Sequence, residues 1–406
     1  MPPAIETIEI DAFLALTAGI VVYFIGRSLT GRIGFLREFN IPEPVSGGLM
    51  VALGTLAVYV FLNREIVFDL QARDVLLVYF FTIVGLNARL SDLISGGRPL
   101  AFLLVITLVL MVVQNLVGAL GATLFGVPGE AGVLLGTASL IGGHGTAIAW
   151  GPTIAEEHGV SGAAELGIAS ATVGLIMASL MGGPIARYLM ERHNLSAAEE
   201  NDKDAAFVVT DAEQTTASFD HVDLMRSILA IHLAVIIGYT VHQSMDAAGV
   251  RLPVFVPCLL TAIVLTNTIP RLLPGGQWPS RSPALALVSD FSLSIFLAMS
   301  LMSMQLWTLA GSAGVLVFTM ALQALVTATF IIFIFFRVMG GNYFACVLSA
   351  GFAGFTLGAT PTAIANMSAV TKRYGASPLA FIVLPLVSAF FVDLANAVLI
   401  QLFVGA

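Results

Sequence analysis

Twelve apolar stretches alternate with short polar segments along the chain. Most are about 20 residues long, the length of helix that crosses a bilayer. Strands of alternating polarity, which mark an outer-membrane barrel, are not seen. The stretches lie near residues 9–29, 42–62, 74–92, 99–124, 131–155, 165–190, 222–246, 252–270, 284–305, 312–337, 343–371 and 378–402. This pattern predicts an all-α polytopic membrane protein.

The twelve stretches fall into two halves that resemble each other weakly. "TAIA" occurs at 146–149 and again at 362–365, each time in the fifth stretch of its half after a glycine-rich run. Internal repeats are typical of secondary transporters. A polar, mostly acidic segment lies between the halves. We therefore divide the chain into a first membrane repeat at 1–190, an acidic linker at 191–221 and a second membrane repeat at 222–406.

The positions of the 17 lysines and arginines predict an orientation. Such residues collect in cytoplasmic loops. With the N-terminus outside and twelve full spans, 8 of them lie inside and 9 outside, so no bias exists. If the stretches near 131–155 and 343–371 instead enter the membrane and return on the same side, 14 of the 17 lysines and arginines lie inside and 3 outside. We therefore predict five spans and one re-entrant hairpin in each half, an inverted repeat, both termini outside and a cytoplasmic linker.

Composition restricts the class of protein further. The chain is 58% hydrophobic and 10% charged, with mean hydropathy +0.95, whereas soluble domains are about a quarter charged. The net charge of −8 comes largely from the linker, so it predicts no nucleic-acid partner. Cys258 and Cys346 lie in apolar stretches and are expected to be packing residues. The first stretch lacks a preceding Lys or Arg and a cleavage site, which predicts a retained span.

The two predicted re-entrant stretches contain the chain's most unusual motifs. "LIGGHGTAIAW" at 140–150 places three glycines, a histidine and a threonine in five positions, at a large cost in helix propensity. "GFTLGATPTAIANM" at 354–367 combines glycine, proline, threonine and asparagine. Non-helical backbone at membrane depth is tolerated where protein or a water-filled cavity satisfies it. Half-helix N-termini there favour a carboxylate, and freed carbonyls coordinate Na⁺. The alternative is that these small residues only allow close helix packing.

We predict a substrate site formed by the two tips. Its candidate residues are Ser139, Gly142, Gly143, His144, Gly145, Thr146, Gly358, Ala359, Thr360, Pro361, Thr362 and Asn366. The candidate Na⁺ ligands are Asp393, Asn396, Thr146 and Thr362.

His144 and Asp393 each have a structural alternative. His144 can donate a hydrogen bond to a carboxylate, can couple transport to protons, or can bridge the two arms of its hairpin. Asp393 lies inside the last apolar stretch, where an unpaired carboxylate is expensive and therefore suggests function. An ion pair or a bond at a helix end is its alternative. Gln114 and Gln323, each in the fourth stretch of its half, are predicted to form hydrogen bonds between helices.

The motifs "IPEPVSGGL", "GGHGT" and "GATPTAIANM", in this order and at these separations, resemble the sodium/glutamate symporter family. The resemblance covers essentially the whole chain. It implies Na⁺-coupled uptake of glutamate across a bacterial inner membrane, re-entrant loops in two inverted domains, a homodimer and no organic cofactor. Three alternatives remain. They are a proton-coupled carboxylate carrier, a Na⁺/H⁺ exchanger, and an intramembrane hydrolase with His144 as base, for which Ser139 and Thr146 are the nearby hydroxyls.

Overall fold

The computed structural model describes most of the chain, and the described part is mostly helical. The described residues are 6–38, 41–89, 97–195, 220–247, 252–272, 278–387 and 392–405. Within them, eight helices are long and apolar enough to cross a membrane. These are Ala12–Arg32, Glu43–Leu62, Leu100–Leu124, Ala163–His193, His221–Ala247, Phe255–Leu272, Pro283–Met302 and Ala313–Val338. The prediction of a multi-pass, mainly helical membrane protein is confirmed.

The order of elements follows the predicted stretches. The first half contains β1 (Glu6–Ile10), α1 (Ala12–Arg32), α2 (Gly34–Glu38), α3 (Glu43–Leu62), β2 (Arg64–Phe68), α4 (Gln71–Leu86), α5 (Gly97–Leu124), a 3₁₀ segment (Gly129–Leu135), α6 (Gly143–His158) and α7 (Ala163–His193). The second half contains α8 (His221–Ala247), α9 (Phe255–Leu272), α10 (Pro283–Met302), a 3₁₀ segment (Leu306–Gly311), α11 (Ala313–Phe330), α12 (Tyr343–Leu357), α13 (Thr360–Tyr374), α14 (Pro378–Leu386) and α15 (Val392–Val404). A π-helical turn (Ile331–Phe335) extends α11 to Val338. Most of the predicted linker at 191–221 lies outside the described residues, at 196–219.

Two short strands correct the expectation of an all-α protein. β1 and β2 pair in parallel, with the register running from Glu6 opposite Arg64 to Ile10 opposite Phe68. The strands are neighbours because α1 and α3 return the chain to the same end. Each strand has only five residues and adjoins an apolar stretch, so the hydrophobic pattern did not separate it from the neighbouring helix.

Packing divides the protein into two compact units, and each unit takes elements from both halves of the sequence. The first unit contains α1–α4 and α8–α10, and the second contains α5–α7 and α11–α15. This division describes packing, so the repeat boundaries at 1–190 and 222–406 remain a prediction.

The first unit is held together by close helix contacts. A Cβ atom on Gly26 of α1 would lie 1.8 Å from the carbonyl oxygen of Glu43, at the start of α3. On α3, a Cβ on Gly47 would lie 2.1 Å from the carbonyl oxygen of Val22. Small residues that let backbones approach are a common basis of helix association in membranes. These two contacts pair early α3 with late α1, so the two helices are antiparallel.

In the second unit, α5 and α11 form an antiparallel pair around a central helix. Gly121 of α5 lies against Thr319 of α11, and the rings of Phe125 and Phe318 have centroids 5.6 Å apart. All fifteen residues of α12 are buried. This burial explains why the sequence of α12 is apolar on every face.

The chain reverses direction between the 3₁₀ segment Gly129–Leu135 and α6. Gly132 packs against Ala119 of α5, so the 3₁₀ segment runs back along that helix. Gly167 of α7 contacts both Leu134, before the reversal, and Ala147, after it. The two arms therefore lie side by side against α7, and the reversal falls at 136–142.

A second reversal separates α12 from α13. Gly354 lies against Ala363, Gly351 lies against Met367, and the Tyr343 hydroxyl donates to the Gly375 carbonyl at 2.5 Å. Such nested pairs define a helical hairpin whose tip is at Gly358 and Ala359. Since the first reversal follows α5 and the second follows the antiparallel α11, the two hairpins start from opposite ends of the second unit.

Candidate functional site

The break at 136–142 is held by amide side chains. The Asn115 Oδ1 atom accepts hydrogen bonds from Thr137 N at 2.9 Å and Thr137 Oγ1 at 2.8 Å. Asn396 of α15 donates from Nδ2 to the Thr137 carbonyl at 3.1 Å. All three residues are buried. The Asn115 bond satisfies the buried Thr137 N–H, and the Thr137 carbonyl accepts a second hydrogen bond, from Gly142 N at 2.8 Å, which closes the loop.

Gly142 and Gly143 end the break for different reasons. A Cβ on Gly142 would lie 2.6 Å from the Thr146 Cβ and 2.7 Å from the Asn396 Nδ2, so no side chain fits there. Gly143 has φ of +69°, in the left-handed region that favours glycine. Thr146 and Asn396 are therefore brought together around Gly142. Two of the four predicted Na⁺ ligands thus lie near the first break.

His144 begins α6 and contacts the neighbouring helix. It is 6% exposed, and its Nε2 lies 3.0 Å from the Thr172 Oγ1 of α7. Thr172 donates its one hydroxyl proton to the Ile168 carbonyl at 2.9 Å, so Nε2 must carry the proton that His144 gives to Thr172. This hydrogen bond joins α6 to α7. The structural alternative for His144 predicted a bond between the two arms of its hairpin instead.

Ser139 and Gly145 are placed beside these groups. The Ser139 hydroxyl is 1% exposed and donates to the Leu134 carbonyl at 2.5 Å, which ties the break to its own first arm. Gly145 lies half-buried in the first turn of α6.

The second break is shorter and more exposed. Gly358 is buried, and a Cβ there would lie 2.9 Å from the Ala178 Cβ of α7. Ala359 and Thr360 are partly exposed and Pro361 is exposed. Proline fits the first turn of α13 because its nitrogen needs no helical partner there. The N-terminus of α13 therefore presents partly accessible backbone.

Thr362 and Asn366 lie behind that N-terminus. Thr362 is fully buried, and its Oγ1 has no hydrogen-bond partner. Asn366 donates from Nδ2 to the carbonyls of Ala178 at 3.0 Å and Ala350 at 3.2 Å, which joins α13 to α7 and α12. Asn366 is thus a structural anchor of the hairpin, whereas Thr362 retains an unused hydroxyl.

Gly174 of α7 brings the ends of both broken elements together. A Cβ there would lie 2.4 Å from the Leu357 carbonyl, just before the second break, and 2.7 Å from the Leu140 Cδ2, within the first break. The two tips therefore meet the same turn of α7 inside one compact unit. Both breaks lie within the predicted stretches 131–155 and 343–371, and most candidate residues fall on or beside them, whereas their role as a substrate site stays a prediction.

Asp393 differs from the other candidates. It lies partly exposed in the first turn of α15, after residues 388–391, which are outside the described part. An acidic residue in a first helical turn is favoured by the helix dipole, which supplies a structural reason for this carboxylate. Asn396, three residues later on the same helix, contacts the first break.

Asn115 holds the first break but was not among the predicted residues. It neighbours Gln114 in an otherwise apolar span, and an amide at such depth needs a partner, so the pair "QN" was the available signal. The bonds predicted for Gln114 and Gln323 are confirmed. Gln114 donates to the Thr356 carbonyl at 2.9 Å, and Gln323 donates to the carbonyls of Gln114 at 2.7 Å and Leu135 at 2.9 Å.

Among the described residues, no group of three or more His, Cys, Asp or Glu side chains is placed to hold a metal ion. The two breaks offer carbonyl, amide and hydroxyl oxygens, among them Asn396 Oδ1 and Thr362 Oγ1. Such hard oxygen ligands suit hard cations.

Eight apolar helices long enough to cross a membrane, together with two interrupted elements, are typical of a polytopic membrane transport protein. A model of the family described as "Sodium/glutamate symporter" matches residues 8–376. The sodium/glutamate symporter of Escherichia coli (strain K12) is 38% identical over 97% of this chain and 98% of its own. That of Haemophilus influenzae is 39% identical over 96% of each. The chain belongs to the sodium/glutamate symporter family. Because the members of this family are transporters, the hydrolase alternative is excluded.

Proposed function

We propose that this protein takes glutamate into a bacterial cell together with Na⁺. The observation that carries the proposal is the meeting of two broken helices against one turn of α7, in a chain that belongs to this family along nearly its full length. Free backbone groups at such breaks supply binding partners for a charged solute without placing a fixed charge in the membrane.

We propose that the substrate site is formed by both tips. The first turns of α6 and α13 offer backbone N–H groups to the glutamate carboxylates, as helix N-termini do for anions. Thr360 and Thr362 supply hydroxyls at the second tip, and Gly142 to Thr146 supply backbone at the first. His144 donates to Thr172, which supports a positioning role for its ring.

For Na⁺, we propose ligands near the first break and behind the second. Asn396 Oδ1 and Thr362 Oγ1 are buried oxygens without a hydrogen-bond partner, and each can coordinate a cation. Thr146 lies beside Asn396. Asp393 remains a candidate because its charge lies one turn from Asn396 on the same helix face.

We infer a membrane arrangement in which the two hairpins are re-entrant and the halves form an inverted repeat. The support is that the hairpins start from opposite ends of the second unit and that the Lys and Arg residues then collect on one side. In this arrangement both termini are outside and the linker at 191–221 is cytoplasmic. Because the second unit holds both breaks, we propose that it carries the substrate during alternating access. The implied homodimer stays a prediction.

Cysteine accessibility tests the arrangement. Glu156, at the open end of the first hairpin, and Lys372, at that of the second, are both exposed. A cysteine at 156 should react with an impermeant thiol reagent on intact cells, and a cysteine at 372 only after permeabilisation. The reverse pattern would contradict the orientation, and equal labelling of both would contradict the re-entrant hairpins.

The function itself is tested by uptake of radiolabelled glutamate into proteoliposomes. We expect a Na⁺ gradient to drive accumulation of intact glutamate, and a proton gradient of equal driving force to drive none. Accumulation on the proton gradient alone would instead identify a proton-coupled carboxylate carrier.

A further inference from the structure

Each of two buried glutamines in the second unit contacts the broken element that belongs to the other half of the sequence. Gln114 comes from the first half of the sequence and donates to Thr356, next to the break of the second half. Gln323 comes from the second half and donates to Leu135, next to the break of the first half. Both side chains are fully buried.

Each of these bonds satisfies a particular kind of backbone group. Thr356 lies in the last turn of α12, and Leu135 is the last residue of the 3₁₀ segment Gly129–Leu135. Carbonyls at the end of a helix have no intrahelical partner. Each glutamine amide therefore caps the arm that leads into a break, using a helix of the other half.

The two caps are also joined to each other. The Gln323 Nε2 uses its second proton for the backbone carbonyl of Gln114, at 2.7 Å. A continuous path therefore runs from the Leu135 carbonyl through Gln323 and Gln114 to the Thr356 carbonyl. Two residues therefore link the two breaks.

The two glutamine side chains do not have the arrangement of highest stability. Gln114 Oε1 and Gln323 Oε1 are buried without a hydrogen-bond partner. An unsatisfied buried acceptor is destabilising, and an apolar residue of similar volume avoids the penalty. Two such penalties in one contact indicate a role beyond helix packing.

We propose that Gln114 and Gln323 are positioning residues that couple the two breaks, so that the glutamate and Na⁺ sites form together. The assignment of those sites rests on the proposed function, whereas the mechanical coupling of the breaks does not. Neither glutamine is required to touch substrate or ion.

The first test uses Gln323→Met and Gln114→Met, which keep the length of the side chain and remove the donor. We expect each variant to raise both the KM for glutamate and the half-saturating Na⁺ concentration, by about tenfold. Because the two bonds act in series, the double variant should resemble the Gln323→Met variant. The matched control is Thr319→Val, one turn away on α11, which removes a buried hydroxyl without a partner and should change neither constant.

The second test separates positioning from packing by a pH profile. A buried carboxylic acid stays protonated above its usual range and can then donate one hydrogen bond. In Gln323→Glu one of the two donated bonds can survive at acidic pH, so we expect affinities there between those of the wild-type protein and of Gln323→Met, and a further loss as the pH rises. The Gln323→Met variant should not respond in this way. If Gln323 only fills space, Gln323→Glu and Gln323→Met should show the same pH dependence of their affinities.

The third test needs no transport. A cysteine replaces Thr360 at the second tip, and its rate of modification is measured with and without Gln323→Met, which removes the bond to the first break. Coupling predicts a changed rate, with Thr319→Val leaving it unchanged. An unchanged rate, or transport constants that stay at wild-type values or combine additively, would overturn the proposal. Absence of uptake by the wild-type protein would instead refute the proposed function and leave the labelling result valid.

Discussion

The two breaks in the second unit are built differently. The first is a seven-residue loop at 136–142 held by buried amides of Asn115, Asn396 and Gln323. The second is a sharp turn at Gly358 and Ala359 that leads into the partly exposed start of α13. We infer that the first tip is a fixed platform, whereas the second tip is the accessible side of the proposed site.

The largest effect is expected from filling the first break. In Gly142→Ala the new methyl group meets Thr146 and Asn396, so both must move. We expect uptake to fall by more than about tenfold, because overpacking costs 1–3 kcal/mol in a close-packed region. The matched control is Gly183→Ala on α7, where nothing lies within 4 Å of the new atom, and uptake should be unchanged. Normal uptake by Gly142→Ala would contradict the fixed platform.

A smaller effect is expected from the two asparagine anchors. Asn396→Leu removes the donor to the first break, and Asn366→Leu removes the donor that ties the second hairpin to α7. We expect Asn396→Leu to raise the half-saturating Na⁺ concentration by about tenfold, whereas Asn366→Leu should mainly lower thermal stability in detergent. Equal changes in Na⁺ dependence would remove the distinction between the two residues.

The smallest effect is expected at Asp393, where two explanations give different results. If the carboxylate helps to bind Na⁺, Asp393→Asn should raise the Na⁺ requirement several-fold with little change in stability. If it only complements the dipole of α15, stability should fall by roughly 0.3–1 kcal/mol and Na⁺ dependence should stay the same. Uptake at graded Na⁺ concentrations, together with thermal unfolding of the purified protein, decides between them.

Much of this architecture could be predicted from the sequence because the thickness of the bilayer sets the length of a membrane-spanning helix. Eight of the ten predicted spans appear as long apolar helices in the described residues, and the positions of the two interruptions and the bonds of Gln114 and Gln323 agree with the prediction. The short strands were not predicted, since five residues beside an apolar stretch give no separate signal. Asn115 was missed because periodicity reports burial and does not report which carbonyl an amide will reach.

The sequence predicted the two segments of the candidate site better than it predicted the roles of their individual residues. Glycine, proline and threonine at 142–146 and 358–362 mark the breaks in the sequence. The anchoring role of Asn366 and the contact of His144 with Thr172 depend on side chains far away in the sequence. The position of Asp393 in a first helical turn likewise depends on where α15 begins.

Substrate protection at the second tip tests the central claim most directly. A cysteine in place of Thr360 is labelled with a small thiol reagent in proteoliposomes, and the native Cys258 and Cys346 are both buried. We expect glutamate and Na⁺ together to slow this labelling strongly, and Na⁺ with a non-transported amino acid to leave it fast. Labelling that glutamate does not slow at saturating Na⁺, in a protein that still transports, would show that the substrate binds elsewhere.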